Sequence, residues 1–171
     1  MTDDSVYRPP SSVFWTESVT DQITILPAGW HDWPAVYDLE KACFGRDAWD
    51  RLELFLTLIG SNVRLKAMVG DRLVGFAMGD PHPAEGYAWI ATLGIHPEFQ
   101  RRGIGARLLA ETEAQLTTPL LRLTVRPSNT GAIALYQKFG YVSRQTYERY
   151  YADGEAGLVM EKKREQVAGG K

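Results

Sequence analysis

A chain of 171 residues, 44% of them hydrophobic, is long enough for one domain with a substantial core, and a net charge of −2 without a compensating basic face excludes a general nucleic-acid binder. The single cysteine, Cys43, excludes an internal disulfide and suits a reducing cytoplasm. No apolar run reaches membrane-spanning length, and Asp3 and Asp4 do not fit a signal peptide, so a cytoplasmic protein with no membrane or nucleic-acid partner is expected.

Residues 1–20 carry Pro9, Pro10 and several Ser and Thr, which reads as an N-terminal arm whose Phe14 and Trp15 dock on the domain or on another subunit. The domain proper is expected over residues 21–163, with 164–171 as a C-terminal tail. Ile23 to Leu26 alternates as a first strand. Asp32 caps a helix that has Trp33 and Pro34 in its first turn and carries Val36, Leu39, Ala42 and Cys43 inward. A second helix runs through Leu52, Leu54, Phe55, Leu58 and Ile59 to Gly60. Val63–Val69 and Leu73–Met78 flank Gly70-Asp71 as a hairpin, followed by a loop from Asp80 to Gly86. Trp89 to Ile95 is a short apolar run that Pro97 ends, which reads as a buried strand. Ile104, Leu108, Leu109, Thr112 and Leu116 then share one helix face. Leu120–Val125 is a further buried strand, and Thr130–Phe139 is a helix closed by Gly140. Tyr141–Tyr151 and Gly157–Lys163 form a last hairpin around Asp153-Gly154. This order predicts an α/β (α+β) fold, a mixed and mostly antiparallel sheet with helices on both faces.

Between the buried strand and its helix lies Gln100-Arg101-Arg102-Gly103-Ile104-Gly105. A strand end, a glycine turn and a helix start present unpaired N–H groups and the positive end of a dipole, so the turn reads either as an anion site, with Arg101, Arg102 and Arg107 adding charge, or as a plain strand-to-helix turn shaped by Gly103 and Gly105 with solvated arginines. It is neither a dinucleotide fingerprint nor a P-loop.

Gln100-x-x-Gly103-x-Gly105 after a strand resembles the coenzyme A pyrophosphate loop of the GNAT superfamily of N-acetyltransferases, and the likeness runs on to about Lys162. Asn129, followed by Ala132, Tyr136 and Gly140-Tyr141, resembles the family segment in which the Asn binds pantetheine and the Tyr faces the thioester sulfur. As an isolated helix, that segment reads first as an Asn129 or Ser128 cap with Tyr136 in the core, and both readings can hold together. The resemblance implies the GNAT fold and acetyl-CoA as cosubstrate, with no metal. It implies cofactor contacts from Leu93, Gly94, Ile95, Gln100, Arg101, Arg102, Gly103, Ile104, Gly105, Ala106 and Asn129, and Tyr136 as general acid. Ala42-Cys43-Phe44 with Trp49, and Arg149-Tyr150-Tyr151, are similar to the RimI-like protein N-terminal acetyltransferases, in which such aromatics flank the peptide's first residues. Phe44, Trp49, Tyr150 and Tyr151 are therefore the implied acceptor contacts. Trp49 reads equally as core, and alternation in a strand predicts that one of the two tyrosines is structural.

Two positions depart from that branch. Its usual Glu or His in the fifth strand is Thr124 here, which cannot be a base, and Arg149 stands where Asn usually precedes the tyrosines. His82 and Glu85 read as surface residues. The expected activity is direct acetyl transfer to a primary amine, a protein N-terminus before a small amine, with a non-catalytic acyl-CoA sensor as the rival outside enzymes. Monomer and homodimer both remain open.

Overall fold

In the computed structural model, which describes residues 23–60 and 63–164, every strand and helix expected from the sequence forms, in the expected order. The expected arm with Phe14 and Trp15, the side chain of Leu58 and the tail from 165 onward lie outside the described residues. The strands are β1 (Ile23–Pro27), β2 (Val63–Val69), β3 (Arg72–His82), β4 (Tyr87–Ile95), β5 (Leu120–Val125), β6 (Val142–Tyr147) and β7 (Gly157–Lys163). They form one seven-stranded sheet in the order β1-β2-β3-β4-β5-β7-β6, in which only β4 and β5 pair parallel. The helices are α1 (Trp33–Phe44), α2 (Arg51–Gly60), α3 (Ile104–Gln115) and α4 (Thr130–Lys138).

Strand alternation sends neighbouring residues of β3 to opposite faces of the sheet. Phe76 and Met78 pack with Val36 and Leu39 of α1 and Leu54 of α2, whereas Ala77 faces Ile104 and Leu108 of α3. Two glycines set how closely α3 seats. A Cβ on Gly75 would lie 2.9 Å from Leu108, and one on Gly79 would lie 3.0 Å from Leu116. Leu109 and Leu116 continue into a cluster with Leu121, Leu123, Tyr136, Tyr141 and Met160, which places α4 on the same face as α3. Truncating a fully buried member such as Leu108 would cost about 2–5 kcal/mol.

Two features of β4 prepare the site. Its pairing with β5 ends at Trp89↔Arg122, although β4 runs on to Ile95 and β5 to Val125, so the strands splay and leave one edge of β4 without a ladder partner. In the β3–β4 register, Met78 opposes Thr92 and Gly79 opposes Ile90, which makes Ala91 the extra residue of a bulge. The bulge shifts the phase, so both Ala91 and Thr92 face α1.

Four sequence expectations need correction. The segment from Asp80 is not wholly a loop: β3 continues to His82, and the turn is confined to 83–86, with Gly86 at φ +76. Pro81 lies past Val63↔Gly79, the last pair with β2, so on that side there is no ladder for it to interrupt, while it stays in register with Ala88 of β4. Asp32 does not cap α1; its Oδ2 accepts the Gly29 N–H at 2.8 Å and its Oδ1 pairs with Lys66 Nζ at 2.6 Å. β6 ends at Tyr147, so Tyr150 and Tyr151 belong to a loop. Arg164 is held rather than frayed: its N–H donates to the Pro119 carbonyl at 2.8 Å and its guanidinium to the Leu116 carbonyl.

Candidate active site

The splay of β4 from β5 opens a cleft of about 520 Å³. From β4 it is lined by Trp89 to Leu93, from β5 by Leu123 to Val125 with Arg126 just beyond, and from α4 by Ala132 and Tyr136. Glu40, Cys43 and Phe44 of α1, Asp47 and Trp49 after it, and Tyr150 and Tyr151 close the opposite side. Of the residues expected at the site, Phe44, Trp49, Leu93, Asn129, Tyr136, Tyr150 and Tyr151 thus meet around one cavity. Gly94 lies beside it: a Cβ there would stand 3.2 Å from Cys43 Sγ and from the Phe44 ring, so this glycine lets α1 approach β4.

Ile95 and the turn from Gln100 to Ala106 lie beyond the cleft wall, at the end of β4. The Gln100 side chain donates to the Ile95 carbonyl at 3.1 Å and ties the turn to the strand. Arg101 (φ +64) and Gly103 (φ +80) take left-handed backbone, which turns the chain into α3 with no side chain capping that helix end. A Cβ on Gly103 would meet nothing within 4 Å, and Gly105 lies beside Ile95 and Leu135. Uncapped N–H groups facing open space at a helix start are a seat for an anion. Ile104 is buried in the core, so only its backbone is available there. The arginines contribute less than expected. Arg102 donates to the Glu98 carbonyl at 3.2 Å and stacks on Phe99, while Arg107 donates to the Ile23 carbonyl at 2.9 Å and is turned away to β1.

α4 starts differently. Asn129 Oδ1 accepts the Ala132 N–H at 3.1 Å, so Asn129 is a helix cap and also lines the cleft. Tyr136 is buried against Tyr141, with ring centroids 5.8 Å apart. Burial, aided by the nearby Tyr151, pushes its hydroxyl up to about 12, which keeps it protonated near neutral pH.

Arg126 bridges the segments of the wall opposite α4, and Ser128 adds a second tie, its N–H donating to Glu155 at 2.8 Å and its hydroxyl at 3.0 Å. Arg126 donates to Asp47 after α1 and to Asp153 (3.0 Å) and Glu155 (2.5 Å) in the β6–β7 loop, and lies 4.0 Å over the Tyr151 ring. These carboxylates raise Arg126 further above its already high value against the opposing effect of burial. Arg149 adopts φ +55, a conformation Asn tolerates better than Arg, which gives a backbone reason for the Asn that usually stands there. That left-handed residue frees the loop from strand alternation, and both tyrosines reach the cleft. Tyr150 needs Gly157, where a Cβ would lie 2.6 Å from the Tyr150 ring and 2.9 Å from Thr124. Thr124 is therefore a packing surface for the aromatic wall.

Sequence reasoning missed Glu40. It sits on the α1 face with Val36, Leu39 and Cys43, is 3% exposed, lines the cleft and accepts a hydrogen bond from the Thr92 hydroxyl at 3.4 Å. Burial pushes its carboxyl up to about 7, against the opposing hydrogen bond from Thr92. An acid four residues after Val36 and three before Cys43, inside an apolar helical stripe, was the available signal. The Cys43 thiol is pushed up to about 12 by burial and then by Glu40, so it is a poor acyl carrier. His82 bonds Asp80 at 3.0 Å and stacks on Tyr87, and Glu85 sits in the β3–β4 turn; neither lines the cleft.

Comparison with known proteins agrees with this architecture. Residues 33–141 match the acetyltransferase (GNAT) family. The chain is 32% identical over 134 residues to the ribosomal protein bS18-alanine N-acetyltransferase of Salmonella typhimurium, covering 75% of this chain and 88% of that one. It is 33% identical over 138 residues to the N-alpha-acetyltransferase RimI of Mycobacterium tuberculosis, covering 77% and 86%. The fold matches the crystal structure of the Escherichia coli ribosomal-protein-S18-alanine N-acetyltransferase with TM-score 0.74 at 24% identity, over 86% of this chain and 99% of that one. A chain of the NatC complex, solved bound to Gag peptide and CoA, matches with TM-score 0.77 at 15% identity, over 84% and 99%. A family match over most of the described residues, and relatives at about a third identity over three quarters of the chain, make this protein a member of the GNAT family and an acetyl-CoA-dependent N-acetyltransferase.

Proposed function

We propose that this enzyme acetylates the α-amine of a protein or peptide N-terminus by direct transfer from acetyl-CoA. The observation that carries the proposal is the convergence, on one cleft, of the open edge of β4, the buried Tyr136 hydroxyl and an aromatic wall of Phe44, Trp49, Tyr150 and Tyr151. A wall drawn from two separate loops suits an extended chain end better than a compact small molecule. The names of the Salmonella and Mycobacterium relatives point to the same acceptor class.

The residues fit acetyl-CoA. The uncapped start of α3, with open space at Gly103, suits the pyrophosphate, held by the backbone from Arg101 to Ala106 and by Arg101 itself, with Gln100 bracing the turn. The β4 backbone from Leu93 to Ile95 has one edge free to pair with the pantetheine amides, and Asn129 stands at the same mouth. Free β4 N–H groups can stabilise the oxyanion that forms as the amine attacks the thioester carbonyl. Tyr136 gives its proton to the departing thiolate. Its value of about 12 lies above a thiol reference near ~8.5, but the same desolvation raises a thiolate formed beside it, which narrows the gap. The free Cys43 suits the reducing conditions of a cytoplasmic enzyme.

Thiol release from acetyl-CoA tests this reading with three acceptors: a lysine-free peptide with a free α-amine, the same peptide N-terminally blocked, and a small diamine. Turnover of the first alone is expected. Turnover of the diamine alone would overturn the acceptor assignment.

A further inference from the structure

We propose that Glu40 is the group that takes the proton from the attacking ammonium, filling the role that Thr124 cannot. The proposal deepens the α-amine reading above and rests on it. Glu40 reaches the cleft from the α1 face of the sheet, and Tyr136 reaches the same cleft from the α4 face, through the gap that the splay of β4 and β5 leaves open. The β4 bulge at Ala91 brings the Thr92 hydroxyl round to α1, where it donates to Glu40 Oε2 at 3.4 Å and orients the carboxylate. Among the described residues, Thr92 is the hydrogen-bond partner of Glu40; a structural buried acid would be expected to hold an ion pair, as Glu113 does with Lys162.

Glu40 accepts one proton from the α-ammonium, and the freed lone pair forms the C–N bond at the thioester carbonyl. The C–S bond breaks, and the thiolate takes the Tyr136 proton. Tyr136 recovers a proton from the new amide nitrogen, and Glu40 releases its own to solvent. The sum is one acetamide, one thiol and one proton from one ammonium and one thioester.

The titratable and charged groups that share the cleft with Glu40 are Cys43 on its own helix, Asp47 after it, Asp80 on β3, Arg126 beyond β5, and Tyr136, Tyr150 and Tyr151. Cys43, Tyr136 and Tyr151 are each pushed up to about 12, chiefly by burial, and Arg126 is raised further still by its carboxylates. Asp47 pairs with Arg126, and Asp80 bonds His82. Glu40, pushed by burial to about 7, is thus positioned to change charge at neutral pH. A base near 7 is close to the α-amino reference of about 8 and far from lysine at about 10.4. The proton acceptor and the acceptor class therefore imply each other.

The test compares wild type with Glu40→Gln, which keeps the shape and the Thr92 contact. Circular dichroism and coenzyme A titration verify that the variant folds and binds cofactor. With the α-amine peptide, kcat/KM of the wild type should rise through a limb near pH 7. Glu40→Gln should lose that limb and fall ~10²–10⁴-fold, the range of general base catalysis. A loss below about tenfold, under that range, or retention of the limb overturns the assignment. Independently of turnover, ¹³C NMR of the labelled glutamate carboxyls, with the Gln variant identifying Glu40, should show a midpoint near 7 in the free protein; a midpoint near the ordinary glutamate value of 4.5 also overturns it. If the α-amine peptide is refused and the small diamine is used, the acceptor reading fails alone, and the Glu40 limb is then read on the diamine. Turnover of no amine overturns both.

Discussion

Around the end of β4 the half of the site proposed for the cofactor is made of backbone: a strand edge without a partner, a left-handed turn and an uncapped helix start, all within residues 93–106. The half proposed for the acceptor is made of side chains that the chain separates widely, with Glu40, Trp49, Arg126 and Tyr151 arriving from four different segments. The difference teaches where variation is tolerated. A backbone cradle constrains only the residues whose conformation it needs, such as Gly103, whereas the acceptor wall depends on Arg126 bridging the segment after α1 to the β6–β7 loop.

The largest effect should come where the halves meet. Tyr136→Phe should leave coenzyme A affinity unchanged and lower kcat by ~10²–10⁴-fold in a thiol-release assay. On the cofactor side, Gly103→Glu places a carboxylate where phosphates are expected. Like charges in contact cost several kcal/mol, so coenzyme A affinity should fall roughly 10²–10³-fold by calorimetry. Gly103→Ala, equally strained at φ +80 but uncharged, should lose far less. Equal losses would show that backbone geometry, not the anion, is what the glycine serves.

The acceptor half should also show a stability cost. Glu40 is raised from its ordinary 4.5 to about 7, so between those values the folded state binds more protons than the unfolded one, and stability falls as pH rises through that window. Glu40→Gln removes the titration. It should therefore be more stable than wild type above pH 7, by about 1–3 kcal/mol at roughly 1.36 kcal/mol per pH unit of that window, with the advantage vanishing below pH 4.5. Urea melts at the two ends of the window measure it. Smallest, Arg126→Met should release the loops that hold Asp47 and Tyr151, raising KM for the peptide roughly tenfold, about 1.4 kcal/mol, without moving coenzyme A affinity. A matching loss of coenzyme A affinity would abolish the distinction between the halves.

The same division decides what is legible in the sequence. Period and glycine signals reveal all the strands and helices, because the core is local alternation carried across the sheet, and the turn at Gly103 is readable because backbone cradles leave short motifs. β3 reads short because Pro81 signals a break unless its neighbour strand has already ended. Tyr150 and Tyr151 read as alternating because nothing in the local pattern announces the left-handed Arg149 that releases them. Glu40 escapes notice because a helix stripe shows that an acid is buried, but not that a bulge in β4 supplies Thr92 and a gap. Arg126 is likewise invisible, since its partners lie 79, 27 and 29 residues away.

The most direct test of the central claim, a side-chain acceptor half tuned to an α-amine, is a competition between two short peptides, one with only a free α-amine and one with only a free lysine, from about pH 6.5 to about 9.5. Freeing the amine at pH 7 costs roughly 1.4 kcal/mol for the first and roughly 4.6 kcal/mol for the second. The α-amine peptide should win at neutral pH, with kcat/KM climbing through the Glu40 limb at about pH 7 and flattening by about pH 8. Preference for the lysine peptide at neutral pH would contradict the account.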